Sequence, residues 1–242
     1  MNFPKSHIVT GIILLYSFCY STDYHISILG IPVVEIEMIE HPADSITYIT
    51  TTTGIFDYIW STQNSYGTKF LPHSYTMEQY TKVINQTDRH GQISIEYNEK
   101  QRELYINDAS IKVNEAPQNI FTMLTQIRKK DYREMDAEWF PLFHEGDWYR
   151  SRFLFIDTVS VEVNGNQLLC DHYRFDIEKS KELHIKFLPA DYFSDHIASP
   201  EAVRQIWVQN SGENRQIIKA QVSVYGITLT AMIQNHHFTA SK

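Results

Sequence analysis

Cysteine is nearly absent from this sequence, with two in 242 residues. That excludes a disulfide-stapled scaffold and a cysteine-ligated zinc site. Glycine (9) and proline (8) are few as well, while 43% of the residues are hydrophobic. A collagen-like or disordered chain is thereby excluded, and a buried core of ordinary size is within reach. Lysine and arginine (21) are outnumbered by aspartate and glutamate (29), for a formal charge of -8. No overall field draws in nucleic acid or an anionic bilayer. Beyond residue 21 no apolar run approaches the ~20 residues that cross a membrane as a helix. Catalytic signatures are missing too: there is no His-Glu-x-x-His, Cys-x-x-Cys, Gly-x-Ser-x-Gly or glycine-rich phosphate loop. No reaction is legible, so an enzyme is not expected, nor a cofactor or a metal.

The amino terminus has its own character. Residues 1–7 carry Lys5 and no acid, and residues 8–18 are apolar apart from Thr10, Gly11 and Ser17. Cys19-Tyr20-Ser21 then puts small residues three and one positions before a cut after Ser21. This is the order of a secretory signal peptide. Residues 1–21 are read as a signal and 22–242 as one exported domain, periplasmic and associated with the cell envelope. Bulky Phe18 beside Cys19 fits a lipoprotein anchor badly, so lipidation there is not expected. Loss of the leader leaves Cys170 alone, expected as a buried, inert thiol.

The rest alternates with period two. Ile93, Ile95 and Tyr97 interleave with Ser94, Glu96 and Asn98; Val159, Val161 and Val163 with Ser160, Glu162 and Asn164; Leu183, Ile185 and Phe187 with Glu182, His184 and Lys186. Such a rhythm puts one set of side chains on a buried face of a strand and the other in water. Residues 45–53 add β-branched density, and Phe56, Tyr58 and Trp60 are expected on one face of a strand just beyond Gly54. Asn164-Gly165-Asn166 and the 211–214 segment read as hairpin turns. Gly226 is read as a bend or bulge inside a long closing strand. Only one segment has helical spacing: Ile120, Phe121, Leu124 and Ile127, entered through Asn119 as cap and left through Arg128, Lys129 and Lys130. The expected fold is mainly β: an antiparallel barrel or strongly curled sheet, with one amphipathic helix at about 117–130 covering an opening.

The run from Tyr24 through Gly30 to Glu37 resembles the first two strands of an exported bacterial family catalogued as domain of unknown function 3108. A threonine-rich strand leading through Gly54 to Phe56–Trp60 resembles the same family. So do a helix ending at Arg128 before Gly146-Asp147, and Gln205-Ile206-Trp207-Val208 before a closing hairpin. Two positions depart from its pattern, Val34 where a second Gly is usual and Ile217-Ile218 where a Pro is. The resemblance implies an exported, barrel-like domain, similar in outline to periplasmic lipoprotein-carrier and capsule-associated barrels, with no established activity and no catalytic residues.

Residue by residue, polar candidates are read as surface features. The histidines, including the adjacent pair His236-His237, form no ligand spacing. Asp171-His172 and Asp195-His196 are neighbours in sequence, which makes no triad. Glu35 and Glu37 share a strand face, as paired carboxylates would, yet with Glu40 they read as a solvent-facing row opposite Val34, Ile36 and Met38. The Arg128-Lys129-Lys130 cluster, with Arg133, is read as a solvated helix end in preference to an anion site. Aromatic content is the better clue, with 15 Tyr, 13 Phe and 4 Trp. Tyr48, Tyr58, Trp60, Tyr75, Tyr97, Tyr105 and Tyr225 fall on expected strands, and Phe121, Leu124 and Ile127 on the helix. They are the candidate lining and lid of a cavity for an apolar or amphipathic, lipid- or glycolipid-like molecule, with ordinary core packing as the competing reading. An envelope protein acting through its surface or sheet edge is the other class of function left open.

Overall fold

The computed structural model describes residues 19–42, 44–181, 191–212 and 214–234. Residues 1–18, the 183–187 alternation and the His236-His237 pair lie outside the described residues. The first eight strands are β1 (Tyr20–Ile28), β2 (Ile31–His41), β3 (Ser45–Thr52), β4 (Gln63–Phe70), β5 (Met77–Gln86), β6 (Arg89–Asn98), β7 (Glu103–Ile106) and β8 (Ala109–Lys112). The rest are β9 (Phe140–His144), β10 (Asp147–Val163), β11 (Asn166–Lys181), β12 (Val203–Gln209), β13 (Ile217–Val224) and β14 (Ile227–Ile233). Helices are α1 (Ile55–Ile59), α2 (Ile120–Lys129), α3 (Tyr132–Met135) and α4 (Tyr192–Ile197).

All fourteen strands form one sheet in the order β8-β7-β6-β5-β4-β3-β2-β1-β14-β13-β12-β11-β10-β9, with every pairing antiparallel. The sheet is strongly curled and not closed, since β8 and β9 do not pair. Residues Pro117 and Gln118 bridge the seam instead. The Met77 amide donates to the Pro117 carbonyl (2.7 Å), the Gln118 amide to Pro141 (3.2 Å), and the Phe143 amide to Gln118 (2.8 Å). The exposed edge of β9 is thereby shielded by irregular chain.

Side-chain alternation dictates which face turns inward. In β4 Asn64, Tyr66, Thr68 and Phe70 are buried, and in β6 Ile93 and Ile95 are buried between exposed Gln92, Ser94 and Glu96. One apolar cluster joins β1–β4 and β10–β14 to α2; a second joins Met77, Ile93, Ile95 and Leu104 to Phe143 and Trp148 across the seam. Glu35 and Glu37 are exposed, as a solvent-facing row requires. Asn164 (φ 50) and Gly165 (φ 78) form the two-residue turn between β10 and β11, where both left-handed positions suit those residues.

Two local expectations are corrected. Residues 55–59 are helical, so Phe56, Tyr58 and Trp60 do not share a strand face. Three alternating aromatics cannot by themselves separate a strand from a single helical turn, and Gly54 (φ 62, ψ -137) redirects the chain just before them. Gly226 is no bulge: Tyr225 (φ 50) and Gly226 (φ 81) make a complete turn between β13 and β14.

Helix α2 begins where Asn119 caps it. The Asn119 side chain accepts from the Thr122 amide (2.9 Å) while Thr122 Oγ1 accepts from the Asn119 amide (3.0 Å), and Asn119 Nδ2 donates to Thr68 on β4 (3.0 Å). Eight of its residues are buried, because the sheet curls around it. Its basic end is a further correction. Arg128 is 1% exposed, donates to Glu40 on β2 and, through Nε, to the Arg215 carbonyl (3.1 Å). Glu40 thus leaves the solvent-facing row to neutralise a guanidinium that the curl has taken out of water. Replacing Asn119→Ala should cost about 1–2 kcal/mol of stability, read as a lower denaturation midpoint at unchanged m-value.

Candidate functional site

Strand register defines two ends of the curl. The β1–β2 turn, the β13–β14 turn, α1 and the start of β12 lie at one end, since Ile28 pairs with Leu229, Val34 with Thr52 and Val203 with Ser223. Helix α2 crosses the opposite end, from Thr68 on β4 to Glu40 on β2. Between α2 and the first end the described residues enclose a cavity of about 220 Å³. Its inner wall includes Tyr24, Tyr48, Tyr66, Phe175 and Ile206 with Phe121 of α2, all buried. Half-buried Trp60, Thr62, Gln205, Gln221 and Leu229 ring it toward the open end.

The sequence-picked aromatics divide accordingly. Tyr48, Trp60, Phe121 and Leu124 line the cavity together. Ile127 is buried in the main cluster without reaching the cavity wall; Tyr75 is not on a strand but in the β4–β5 connection (φ 57), buried on Phe70 with ring centroids 5.8 Å apart. Tyr97 packs beside the second cluster. Three point elsewhere: Tyr58 is 93% exposed on α1, Tyr225 is 79% exposed at a turn tip, and Tyr105 is exposed with its hydroxyl donating to Gln101 (2.7 Å). Each falls outside the cavity because α1 is a helix, because 225–226 is a turn, or because β7 shows that side to solvent.

Missed in the sequence was Tyr24, which faces Tyr48 in the same wall. Both hydroxyls are buried with no hydrogen-bond partner. Burial pushes the Tyr24 phenol up to about 12 and raises Tyr48 further, against the opposing pull of Arg128. Two neutral phenols thus contribute their rings to the cavity wall, while their hydroxyls are occluded behind it with unused donors.

A second polar group fixes the cavity's flank. Lys82 points inward from β5, fully buried, and donates to Glu145 Oε1 (2.7 Å), Asp191 Oδ2 (2.8 Å) and Ser194 Oγ (3.2 Å). Ser194 Oγ donates in turn to Asp191 (2.8 Å), and the His144 Nε2–H to the Ser194 carbonyl (3.0 Å). All three ammonium protons are engaged, so the Lys82–Ser194 proximity is a cross-link between β5, the β9–β10 turn and α4, not a nucleophile with its base. Arg204, buried on the same wall, donates to the carbonyls of Ile197, Ser199 (2.5 Å) and Ala202 (3.0 Å), and burial pulls its pKa down to about 10. Nothing but an inward position in an alternating strand marks Lys82 in the sequence.

Other candidates do not assemble. Asp171 accepts from Thr158 (3.1 Å) and Asn210 (2.6 Å), whereas His172 pairs with Asp157 (3.1 Å) and stacks on Trp207 at 4.4 Å. Adjacent strand residues face opposite sides. The side chain of Asp195 lies outside the described residues. Cys170 is buried, with its thiol pushed up to about 12 by burial. Among the described residues, no group of three or more His, Cys, Asp or Glu can hold a metal ion, and no helix is long and apolar enough to cross a membrane.

Acid should destabilise this arrangement. Burial holds His144 below its ordinary 6.5. For Glu40 and Asp191 burial raises the pKa, but Arg128 with Lys129, and Lys82 with Ser194, outweigh it and leave both carboxyls low. All three groups bind fewer protons folded than unfolded, so their contribution is present at neutral pH and lost on acidification. The melting temperature should fall first below about pH 6.5, then more steeply below about 4.5, near the ordinary pKa of the carboxyls. Lys82→Met, which strands Asp191 beside Glu145, should cost about 3–5 kcal/mol at pH 7 by chemical denaturation.

No family model matches the chain, and no curated protein does. Among solved structures it is similar to a beta-barrel-like protein of domain of unknown function 1849 from Brucella abortus, with a TM-score of 0.53 at 8% identity, covering 88% of this chain and 94% of that one. At that identity the likeness is one of fold. It sets the chain beside a barrel-like domain of unknown function, and it does not support membership of domain of unknown function 3108.

Proposed function

We propose that this is an exported, non-enzymatic protein of the cell envelope that carries one apolar or amphipathic molecule, lipid- or glycolipid-like, in the hollow half of its curled sheet. The carrying observation is the 220 Å³ apolar cavity between α2 and the open end of the curl. A volume below the ~300–1,000 Å³ of sites for drug-sized ligands favours one hydrocarbon chain over a bulky multi-chain lipid. Burial of that chain against Phe121, Phe175 and Ile206 supplies affinity. Export is supported by the leader order; a cut after Ser21 removes Tyr20 and Ser21, the first two residues of β1, and keeps Thr22, its first buried one. N-terminal sequencing of the periplasmic protein should therefore begin at Thr22.

Native mass spectrometry of protein purified from cells expressing the full chain, paired with solvent extraction, tests the carrier reading. One small amphiphile per chain is expected. Ala231→Trp, which places a large ring in the cavity, should lower occupancy at least tenfold with little change in melting temperature. Tyr24→Phe with Tyr48→Phe should leave the protein equally or more stable, having removed two buried unsatisfied hydroxyls. A chain that stays empty and takes up no hydrophobic dye sinks the proposal.

A further inference from the structure

The end of the curl at which the cavity opens is ringed by exposed apolar side chains. Leu29 stands in the β1–β2 turn with Ile31 just after it, Tyr225 in the β13–β14 turn with Ile227 just after it, and Ile55, Tyr58 and Ile59 lie on α1. Segments 29–32, 53–60 and 224–229 hold a single charged residue, Asp57, and its carboxylate accepts from Thr52 Oγ1 (3.1 Å). In a chain of net charge -8 these three segments form an almost uncharged crown, although Asp88 in the β5–β6 turn, Arg89 just after it and Glu201 before β12 stand at the same end. The backbone adds an independent sign. Leu29 (φ 51) and Tyr225 (φ 50) stand in the left-handed region at the first position of two-residue turns, 90% and 79% exposed. Asparagine or aspartate suits that position far better than a bulky apolar residue. The β10–β11 turn, at the other end of the curl, has the relaxed choice, Asn164-Gly165. At two neighbouring tips beside the cavity mouth, then, the chain keeps large apolar groups against its own backbone preference.

From these observations we infer that the crown docks on the surface of a lipid bilayer, with Leu29, Tyr58 and Tyr225 as the inserting side chains. The partner is argued from three features. The crown is continuous with the mouth of an apolar cavity, so a hydrocarbon chain can pass between bilayer and interior without crossing water. The apolar groups sit on separate tips of paired hairpins and not along an unpaired strand edge, so no unsatisfied ladder enters the lipid. The scarcity of charge on these segments suits a neutral interface, where tyrosine rests with its ring in the acyl boundary and its hydroxyl among headgroups. The inference shares the proposed ligand's chemistry, and its test does not require that any ligand be found.

Full-chain protein purified after export is sedimented with phosphatidylcholine vesicles, and with vesicles containing phosphatidylglycerol, at low and high salt. The expected result is partition onto phosphatidylcholine that changes less than twofold with salt. Leu29→Asn with Tyr225→Asn should weaken it at least tenfold while the melting temperature holds or rises, because asparagine relaxes both turns. Tyr58→Ser should weaken it further. Protein that ignores both vesicle types, binds only the anionic ones at low salt, or partitions equally in the double variant overturns the inference. Concentration-dependent dimers in sedimentation velocity, lost in the double variant, would assign the crown to a second copy and overturn it too. Partition by a protein that carries no amphiphile supports the docking surface while removing the carrier reading.

Discussion

An open antiparallel sheet has an inner face to take out of water and two edges to shield, and curling alone does neither completely. Among the described residues the inner face of fourteen strands is covered chiefly by the ten-residue α2 lying across one end, with Met135 of α3 and Ile197 of α4 joining its cluster. The rest of the structure depends on that mismatch. Where α2 lies the interior is solid: Ile120, Met123 and Ile127 are buried, and the helix's polar groups are met by Thr68, Gln118 and Glu40. Where it does not reach, the same apolar face is left lining a hollow. Among the described residues the cavity is thus the part of that apolar face which α2 does not cover.

The seam sets a second condition. Because β8 and β9 never pair, closure is carried by a two-residue main-chain bridge, by an apolar patch around Phe143 and Trp148, and by Lys82 held between Asp191 and Glu145. A buried ion cluster is weak as a source of stability but strict as a specification, since each partner is costly to leave alone. That strictness suits a shell whose two halves must meet in one register around an empty space.

Most of the architecture was legible in the sequence, because strand periodicity is a local signal. The alternation at Ile93–Tyr97, the Asn164-Gly165 turn and the Asn119-capped helix are each decided within a few residues. The site was legible only in part. Tyr48, Trp60, Phe121 and Leu124 reach the cavity, but Tyr58, Tyr105 and Tyr225 look identical in composition and face outward. Which side a residue faces depends on register and on whether Gly54 and Gly226 begin a helix or a turn. Arg128 read as a solvated helix end because nothing near it in sequence announces Glu40, 88 positions away. Lys82 and Asp191 were invisible for the same reason: an ion pair closed by topology has no sequence spacing.

The central claim, that an apolar molecule occupies the hollow end of the curl, can be read directly from Trp60, the one tryptophan on the cavity wall. Titration with a single-chain amphiphile brominated along its tail should quench tryptophan fluorescence saturably at one equivalent, and Trp60→Phe should abolish that phase. Quenching that never saturates, or that survives intact in Trp60→Phe, would contradict the account.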